Sequence, residues 1–405
     1  MNSILKKTFI TVIILILLVA FNSSYSALNI DNLAFVVAMG IDVSDIKEIK
    51  VTFQFVRPPS TSEGSNQESQ IIVDTTDANS ISNALNIMDT YFARRLDLSH
   101  CRIIVFSEEI AGRGISDYIY TLMNDVQIRP SANIIVSKCN ADYYIKSCTP
   151  SLETSITKFY DIFPNSSKYT GYLCNATIGD FFNSLICNYC EPYGILGGVT
   201  SSDNGSSQSA NVDDSDVQSG FSPISGTKGT ENIGMAVFKY DKLVGELNAI
   251  ETVCFNILKK EVDSFLVSVP DPNNENSNID LYLTPLSKSK IDVKIVNGSP
   301  YIKIDYSFNA KIYSVTGFSS YLDESFLSSI SNSCNKYLES VLTEYLYKTS
   351  QEFKSDVNAL GKYVISDFAT NQDFENYNWT NNYINSTFDV TINTNIESGV
   401  LLTKT

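Results

Sequence analysis

Apolar and polar positions follow two different periods along the first half of the chain. Alternating and β-branched runs predict strands at residues 33–38, 50–56, 70–74, 101–106 and 133–137. Between residues 81 and 92 apolar side chains return at helical spacing, which predicts a helix that buries one face. Asp77 is the predicted cap of this helix. A second helix is predicted near residues 115–123. The first half is therefore predicted to be a mixed α/β region.

The segment at 141–187 follows a mostly helical pattern. Its helical spacing predicts one shared face for Leu152, Ile156, Phe159 and Ile162. Residues 201–230 are rich in Ser, Gly, Asp and Asn with few apolar residues, a composition that does not repay the entropy of ordering. This stretch is predicted to be a linker or a long surface loop.

The last part of the chain changes from strand patterns to one long helical pattern. Strands are predicted at 235–240, 243–247, in several places between 281 and 312, and at 388–396, and helices at 249–262 and 321–353. The stripe of the long helix is Leu327, Ile330, Cys334, Leu338, Val341 and Tyr345. This order predicts an α+β domain in which the long helix packs on an antiparallel sheet.

The first residues have the layout of an export signal. Lys6 and Lys7 precede an apolar run at 9–21, and small residues follow at 23–27. The run is shorter than the roughly 20 residues that a bilayer-spanning helix needs. We therefore predict a signal peptide or N-terminal anchor at 1–26, an α/β region at 27–200 that is one or two subdomains, a linker or loop at 201–230 and an α+β domain at 231–405.

Composition and charge narrow the classes of function. The chain has 405 residues, a formal net charge of -16 and 43% hydrophobic residues. It can therefore bury a core, and it lacks the basic character of a nucleic-acid-binding protein. Eight cysteines in a chain of this length do not form a disulfide scaffold.

We find no sequence motif that indicates catalysis, a cofactor or a metal. His100 is the single histidine and has no recognisable nucleophile or orienting carboxylate beside it. Cys187 and Cys190 form one C-x-x-C, which predicts ordinary thiols or a structural disulfide because no thioredoxin-like βαβ pattern precedes it. Glu108 and Glu109 are predicted to form a solvated acidic turn, not the acid and base of a glycosidase. The chain is therefore predicted to be a non-enzyme without cofactors.

Several short groups of residues occur in a characteristic order. This order indicates a protein family more specifically than any single group does. They are 30–36 with 40–42; 94–96, 99–100, 107–109 and 113–115; 235–239, 242–246 and 251–252; and Asp356, Gly361, Trp379 and 388–396 before Gly399. Together they resemble the GerC-type family, the C subunits of bacterial spore germinant receptors. The resemblance implies a multi-domain α/β protein on the outer face of the spore inner membrane. It also implies two integral-membrane partners, the A- and B-type subunits, and a role in nutrient-triggered germination.

The chain departs from that family at the position of the lipid anchor. Family members generally carry a lipobox cysteine directly after the signal, whereas residues 24–27 here are Ser, Tyr, Ser and Ala. The first cysteine is Cys101, inside a predicted strand. Either the apolar N-terminus is kept as an anchor, or contacts with partner subunits hold the protein at the membrane.

Charged residues near the resembling motifs are the candidate partner contacts. In the alternative interpretation they form local ion pairs within this chain. They are Arg94, Arg95, His100, Glu108, Lys242 and Glu246. The functional hypothesis is a non-catalytic receptor subunit. The alternative is an extracytoplasmic solute-binding protein that captures a small molecule on its own, and direct binding of a small molecule by the receptor subunit is left open.

Overall fold

The computed structural model describes residues 5–14, 32–57, 70–150, 152–200, 217–224, 229–272, 274–287, 289–315 and 324–397. The position of the family's lipid anchor, residues 24–27, and most of the predicted linker at 201–230 lie outside these ranges. Residues 5–14 are helical, and Leu5, Phe9 and Ile10 are more than half exposed. None of the helices in the described part of the chain is both long and apolar enough to cross a bilayer.

The first sheet is built around four parallel strands. Its strands are β1 (Leu33–Val43), β2 (Ile49–Arg57), β3 (Gln70–Ala78), β4 (Arg95–Asp97), β5 (Ile103–Ser107), β6 (Asn133–Ser137), β7 (Tyr193–Val199), β8 (Thr230–Lys239) and β9 (Lys242–Leu247). Their spatial order is β3-β2-β1-β5-β6-β7-β8-β9, with β4 paired to β1. Strands β1, β5, β6 and β7 run parallel. β5 and β6 are buried along their whole length and are apolar except at their polar ends, as expected where helices cover both faces of a parallel sheet.

Helices connect and cover these strands. They are α1 (Ile81–Phe92), α2 (Glu108–Arg113), α3 (Ser116–Asn124), α4 (Ala141–Ser147), α5 (Ile156–Ile162), α6 (Ser167–Thr170) and α7 (Ile178–Leu185). The mixed α/β character predicted for this half is confirmed.

Three local predictions in this half were wrong. The cap of α1 is Ser80, whose hydroxyl accepts from the Asn83 amide at 3.1 Å, whereas Asp77 lies in β3 and accepts from the Ser44 hydroxyl. Glu108 and Glu109 are exposed, as predicted, but they form the first turn of α2, where carboxylates interact favourably with the helix dipole, and not a turn.

The third error concerns the segment before α7. Leu152 is 95% exposed and Ile162 is 40% exposed, while Ile156 is buried. Leu152 precedes α5, and a 3-10 turn at Phe163–Ser166 ends the α-helical geometry after Ile162. A single helical face therefore does not exist across these residues.

The hairpin of β8 and β9 extends the first sheet. The sequence pattern assigns these strands to the second unit, but β8 pairs antiparallel with β7 and β9 pairs with β8. Alternation identifies a hairpin and does not identify the sheet that the hairpin joins. Helix α8 (Ala249–Lys259) follows directly and begins with a capping box of Asn248 and Glu251.

The second sheet is the antiparallel sheet predicted for the C-terminal part. Its strands are β10 (Phe265–Asp271), β11 (Asn274–Pro285), β12 (Lys290–Val296), β13 (Ser299–Val315) and β14 (Thr387–Glu397). β10 to β13 are antiparallel, whereas β14 is parallel to β13. Asn297 and Gly298 join β12 to β13 with φ values of 51° and 84°, the left-handed backbone of a tight hairpin turn.

The long helix α9 (Glu324–Tyr347) packs on this sheet, as predicted. Its buried side chains are Phe326, Ile330, Cys334, Leu338, Leu342, Tyr345 and Leu346. Asn335 and Glu339 also accept hydrogen bonds from the backbone amides of Thr394 and Ile392, each at 2.9 Å. The helix therefore covers both the face of the sheet and part of the β14 edge.

Several short helical segments connect α9 to β14. They are a π turn (Lys348–Glu352), two 3-10 turns (Leu360–Tyr363 and Ile365–Asp367), α10 (Asn371–Tyr377), α11 (Trp379–Asn382) and a 3-10 turn at Tyr383–Asn385. One hydrophobic cluster includes Val105 and Tyr193 of the first sheet together with Val267 and Tyr306 of the second. The two sheets consequently share a core.

Candidate functional site

A buried carboxylate organises the region where the two sheets meet. Asp356 is 1% exposed, and its oxygens accept from the Leu360 amide at 2.9 Å, the Gly361 amide at 3.0 Å and Trp379 Nε1 at 2.8 Å. Burial raises the pKa of Asp356 to about 6, although these three donors favour the ionised form. The carboxylate thus ties α11 to the 3-10 turn at Leu360–Tyr363.

A second buried carboxylate joins this region to the first sheet. Glu191 is 2% exposed, and its Oε1 lies 2.7 Å from Lys239 Nζ while its Oε2 accepts from the Tyr240 amide at 2.6 Å. Lys239 Nζ also donates to the Thr380 carbonyl at 3.2 Å. Burial raises the pKa of Glu191, and the neighbouring Lys239 opposes that shift. The ion pair therefore spans the start of β7, the end of β8 and α11.

Two glycines allow close packing in the same region. A Cβ at Gly361 would lie 2.6 Å from Trp379 Nε1, and a Cβ at Gly245 would lie 2.1 Å from Phe353 Cε1. Both separations are shorter than side chains tolerate. The resembling residues Asp356, Gly361 and Trp379 therefore meet in space, and their geometry is that of a packed joint between the two sheets.

A cleft opens beside this joint. Its volume is about 520 Å³, and its lining includes Glu191, Tyr240, Glu375, Asn378, Trp379 and the loop of Cys187 and Cys190. Tyr240 and Asn378 have φ values of 56° and 53°, so two residues with left-handed backbone line the same cleft. The volume is in the range of small-molecule sites.

Three of the candidate partner contacts lie together near the start of β1. Arg94 Nη1 donates to the Leu33 carbonyl at 3.5 Å, and Arg95 is opposite Leu33 in the β1–β4 pair. The His100 ring packs edge-on against Phe35 with centroids 4.9 Å apart, and His100 Nδ1 is 3.0 Å from the Ser99 hydroxyl. Arg94, Arg95 and His100 are exposed. Their contact with a partner stays a prediction.

The other three candidates lie elsewhere on the first sheet. Glu108 is exposed at the start of α2, and Lys242 is exposed at the start of β9. Glu246, also on β9, is partly buried and forms an ion pair with Lys138. The structure thus does not unite the six candidates in one patch.

The cysteines have structural positions. Cys187 and Cys190 form a disulfide, one of the two states predicted from the sequence. Cys101, Cys148, Cys174, Cys254 and Cys334 are buried free thiols. Burial raises the pKa of Cys101 to about 12, which keeps its thiol protonated. Within the described ranges, no group of three potential metal ligands comes together.

Sequence reasoning did not identify Glu191 and Lys239. Glu191 stands in none of the resembling groups, Lys239 is the last residue of the group at 235–239, and 48 positions separate them in the chain. The available signal was indirect: Lys239 ends a strand that resembles the family hairpin, and a charged residue at a buried strand end needs an opposite charge.

Comparison with known proteins gives matches to both halves of the chain. Residues 26–193 match the family model "Spore germination protein N-terminal domain", and residues 233–399 match "Spore germination B3/ GerAC like, C-terminal". Spore germination protein KC of Bacillus subtilis (strain 168) is 21% identical over 397 residues, covering 94% of this chain and 92% of that protein. The crystal structure of the GerBC protein matches with a TM-score of 0.54 and 16% identity, over 88% of this chain and 96% of that one. The GerBC likeness supports the fold.

Proposed function

Because the chain belongs to the GerC-type family of spore germination proteins, we propose that it is a non-catalytic subunit of a germinant receptor. The observation that carries the proposal is that the two family models together match both halves of the chain. In this proposal the protein acts by contact with A- and B-type integral-membrane subunits. Ligand binding in those subunits would shift a contact with this protein and thereby favour the active receptor.

The architecture supports a role as a preformed contact partner. The Glu191–Lys239 ion pair and the Lys239–Thr380 hydrogen bond tie the first sheet to α11, and Asp356 ties α11 to the preceding 3-10 turn. A protein whose halves share a core presents its surfaces in fixed relative positions, and such preorganisation lowers the entropic cost of binding.

We place the protein at the outer face of the spore inner membrane. The support is the export-signal layout of residues 1–26 and the exposed apolar side chains of residues 5–14. Such side chains gain free energy when they leave water for a bilayer or a translocation channel. Since residues 24–27 contain no lipobox cysteine, partner contacts or a retained N-terminus would hold the protein in place.

Affinity purification of the tagged full-length protein from spore membranes tests the proposal. Mass spectrometry should identify multi-spanning receptor subunits in the eluate and should define the N-terminus of the protein. A retained N-terminus would identify the anchor, and a start near Ala27 would indicate cleavage. Recovery of a free protein without any membrane subunit would reject the receptor role.

The cleft at the joint favours a second candidate function, the capture of a small molecule by this protein on its own. Its volume of about 520 Å³ and its buried Glu191 give a polar, concave site. Solute capture predicts that nutrients raise the Tm of the isolated chain from Ala27 onwards. A receptor subunit that acts by contact alone predicts no change in Tm.

A further inference from the structure

Strand β3 ends the first sheet with an open edge. It pairs with β2 over nine residues, and no other strand in the described part of the chain pairs with it. Among the described residues, no further backbone hydrogen bond reaches residues 70–78. The outward amide and carbonyl groups of this strand are therefore available to another extended chain.

The other described end strands are protected. β9 begins with Lys242, and Asp89 accepts from the Leu96 amide of β4 at 2.7 Å. Lys290 and Lys294 lie on β12. Lysines and covering side chains are ordinary devices that prevent strands from pairing at an edge.

The end strands β10 and β14 are protected by proline and by α9. β10 contains Pro270, which lacks an amide donor, and its carbonyl accepts from the Ser333 hydroxyl of α9 at 2.9 Å. On β14, the amides of Ile392 and Thr394 donate to side chains of α9. The open edge of β3 is thus an exception in the described part of the fold.

The sequence of β3 favours pairing. Its residues are QIIVDTTDA, with no proline, glycine, lysine or arginine. Ile71, Ile72, Val73, Thr75 and Thr76 are β-branched, and such residues favour extended pairing. Thr75 is exposed and Ile71 is 39% exposed, so the strand is accessible from outside.

We propose that β3 is a docking edge for an extended segment of a partner protein that carries Lys or Arg and pairs as an added strand. The acidic side chain of Asp74 and the net charge of -16 favour a basic segment, whereas Asp77 already accepts from the Ser44 hydroxyl and lies opposite Lys50 of β2. Backbone hydrogen bonds would supply the affinity, and Asp74 the selectivity.

Charge also disfavours a second copy of this chain as the occupant. Two-fold pairing of β3 with itself is antiparallel and, over residues 70–78, centres on Asp74. Each Asp74 would then lie directly opposite its symmetry mate, and like charges in directly opposed positions destabilise a strand pair.

This proposal rests on the proposed receptor role and names the surface that would serve it. The first test places the photo-crosslinker benzoylphenylalanine at Thr75 in the full-length protein in spore membranes. A control protein carries it at Tyr313, a 75% exposed residue of the second sheet. We expect Thr75 to crosslink to a receptor subunit and Tyr313 not to do so. Peptide mapping should place the crosslink in a segment with Lys or Arg.

The outcomes separate the two proposals. The docking edge is rejected and the receptor role stands if the subunits co-purify but position 75 crosslinks to none of them. A crosslink from position 75 only to this chain itself, or to a second copy of it, has the same meaning. If the unsubstituted protein recovers no membrane subunit, both proposals are rejected.

Charge reversal provides a second test. Asp74→Lys should reduce the co-purified receptor subunit at least tenfold, and Asp74→Asn should reduce it less, because the attraction to a basic segment is reversed or only removed. Asp292→Lys, on β12 of the second sheet, is the matched control and should leave recovery unchanged. Equal recovery with Asp74→Lys, at unchanged Tm, would overturn the proposal.

Discussion

Protonation of Asp356 makes the free energy of unfolding depend on pH. Its ordinary pKa of 3.8 is raised to about 6 in the folded protein, so the folded state binds its proton more tightly than the unfolded state. The resulting stabilisation is fully present below pH 3.8 and is lost as the pH rises through 6. We expect the protein to gain about 1 kcal/mol relative to Asp356→Asn between pH 7 and pH 5.

Denaturant unfolding of both proteins at the two pH values measures this difference, and comparison of the two cancels the titration of other groups. Asp356→Asn should also be less stable at pH 7 by about 2 kcal/mol, because its amide nitrogen would face N–H donors. A gap between the two proteins that narrows at pH 5 would contradict the raised pKa.

Gly245 is required for space and not for its backbone conformation. A Cβ there would lie 2.1 Å from the ring of Phe353, and its φ is not among the positive values. Gly245→Ala should lower the free energy of unfolding by about 1–3 kcal/mol because the packed ring must move.

Gly112→Ala is the matched control for that substitution. No atom lies within 4 Å of a Cβ at Gly112, and the residue is in helix α2. The control should be neutral or stabilising by up to about 1 kcal/mol, since alanine favours a helix over glycine. Equal effects of the two substitutions in thermal unfolding would contradict the packing explanation.

At the scale of elements, α9 stabilises β14 through its polar side chains as well as its apolar stripe. Asn335→Ala leaves the Thr394 amide without its acceptor and should cost about 1 kcal/mol. Lys336→Ala changes the next, exposed residue of the same helix and should cost almost nothing. Hydrogen exchange should become faster at Thr394 only in the first variant, and unchanged exchange there would contradict the role of Asn335.

Local patterns predicted elements well wherever the period was unbroken. Strand β6 was predicted at 133–137 and lies at Asn133–Ser137, and the helix predicted at 81–92 is α1. The wrong predictions concern the residues at which elements begin or end and the strands that pair with each other. Asp77 and Ser80 are both good caps, and only the length of β3 decides between them.

At the scale of the whole molecule, the shared core should make the two sheets unfold together. Trp379 is the single tryptophan and is buried at the joint, so its fluorescence reports the joint directly. We expect its fluorescence transition to coincide with the far-UV circular dichroism transition, as in two-state unfolding. A fluorescence transition at lower denaturant concentration would show that the joint opens before the sheets unfold.

The sequence by itself determined the fold class, most elements and the family, because periodicity, turn residues and ordered motifs are local or follow chain order. Only the tertiary structure decided that β8 and β9 complete the first sheet, that β14 runs parallel to β13, and that Glu191, Lys239 and Asp356 surround one joint. These contacts join residues far apart in the chain. Strand pairing and charge pairing of this kind depend on which surfaces meet, and no local pattern encodes that.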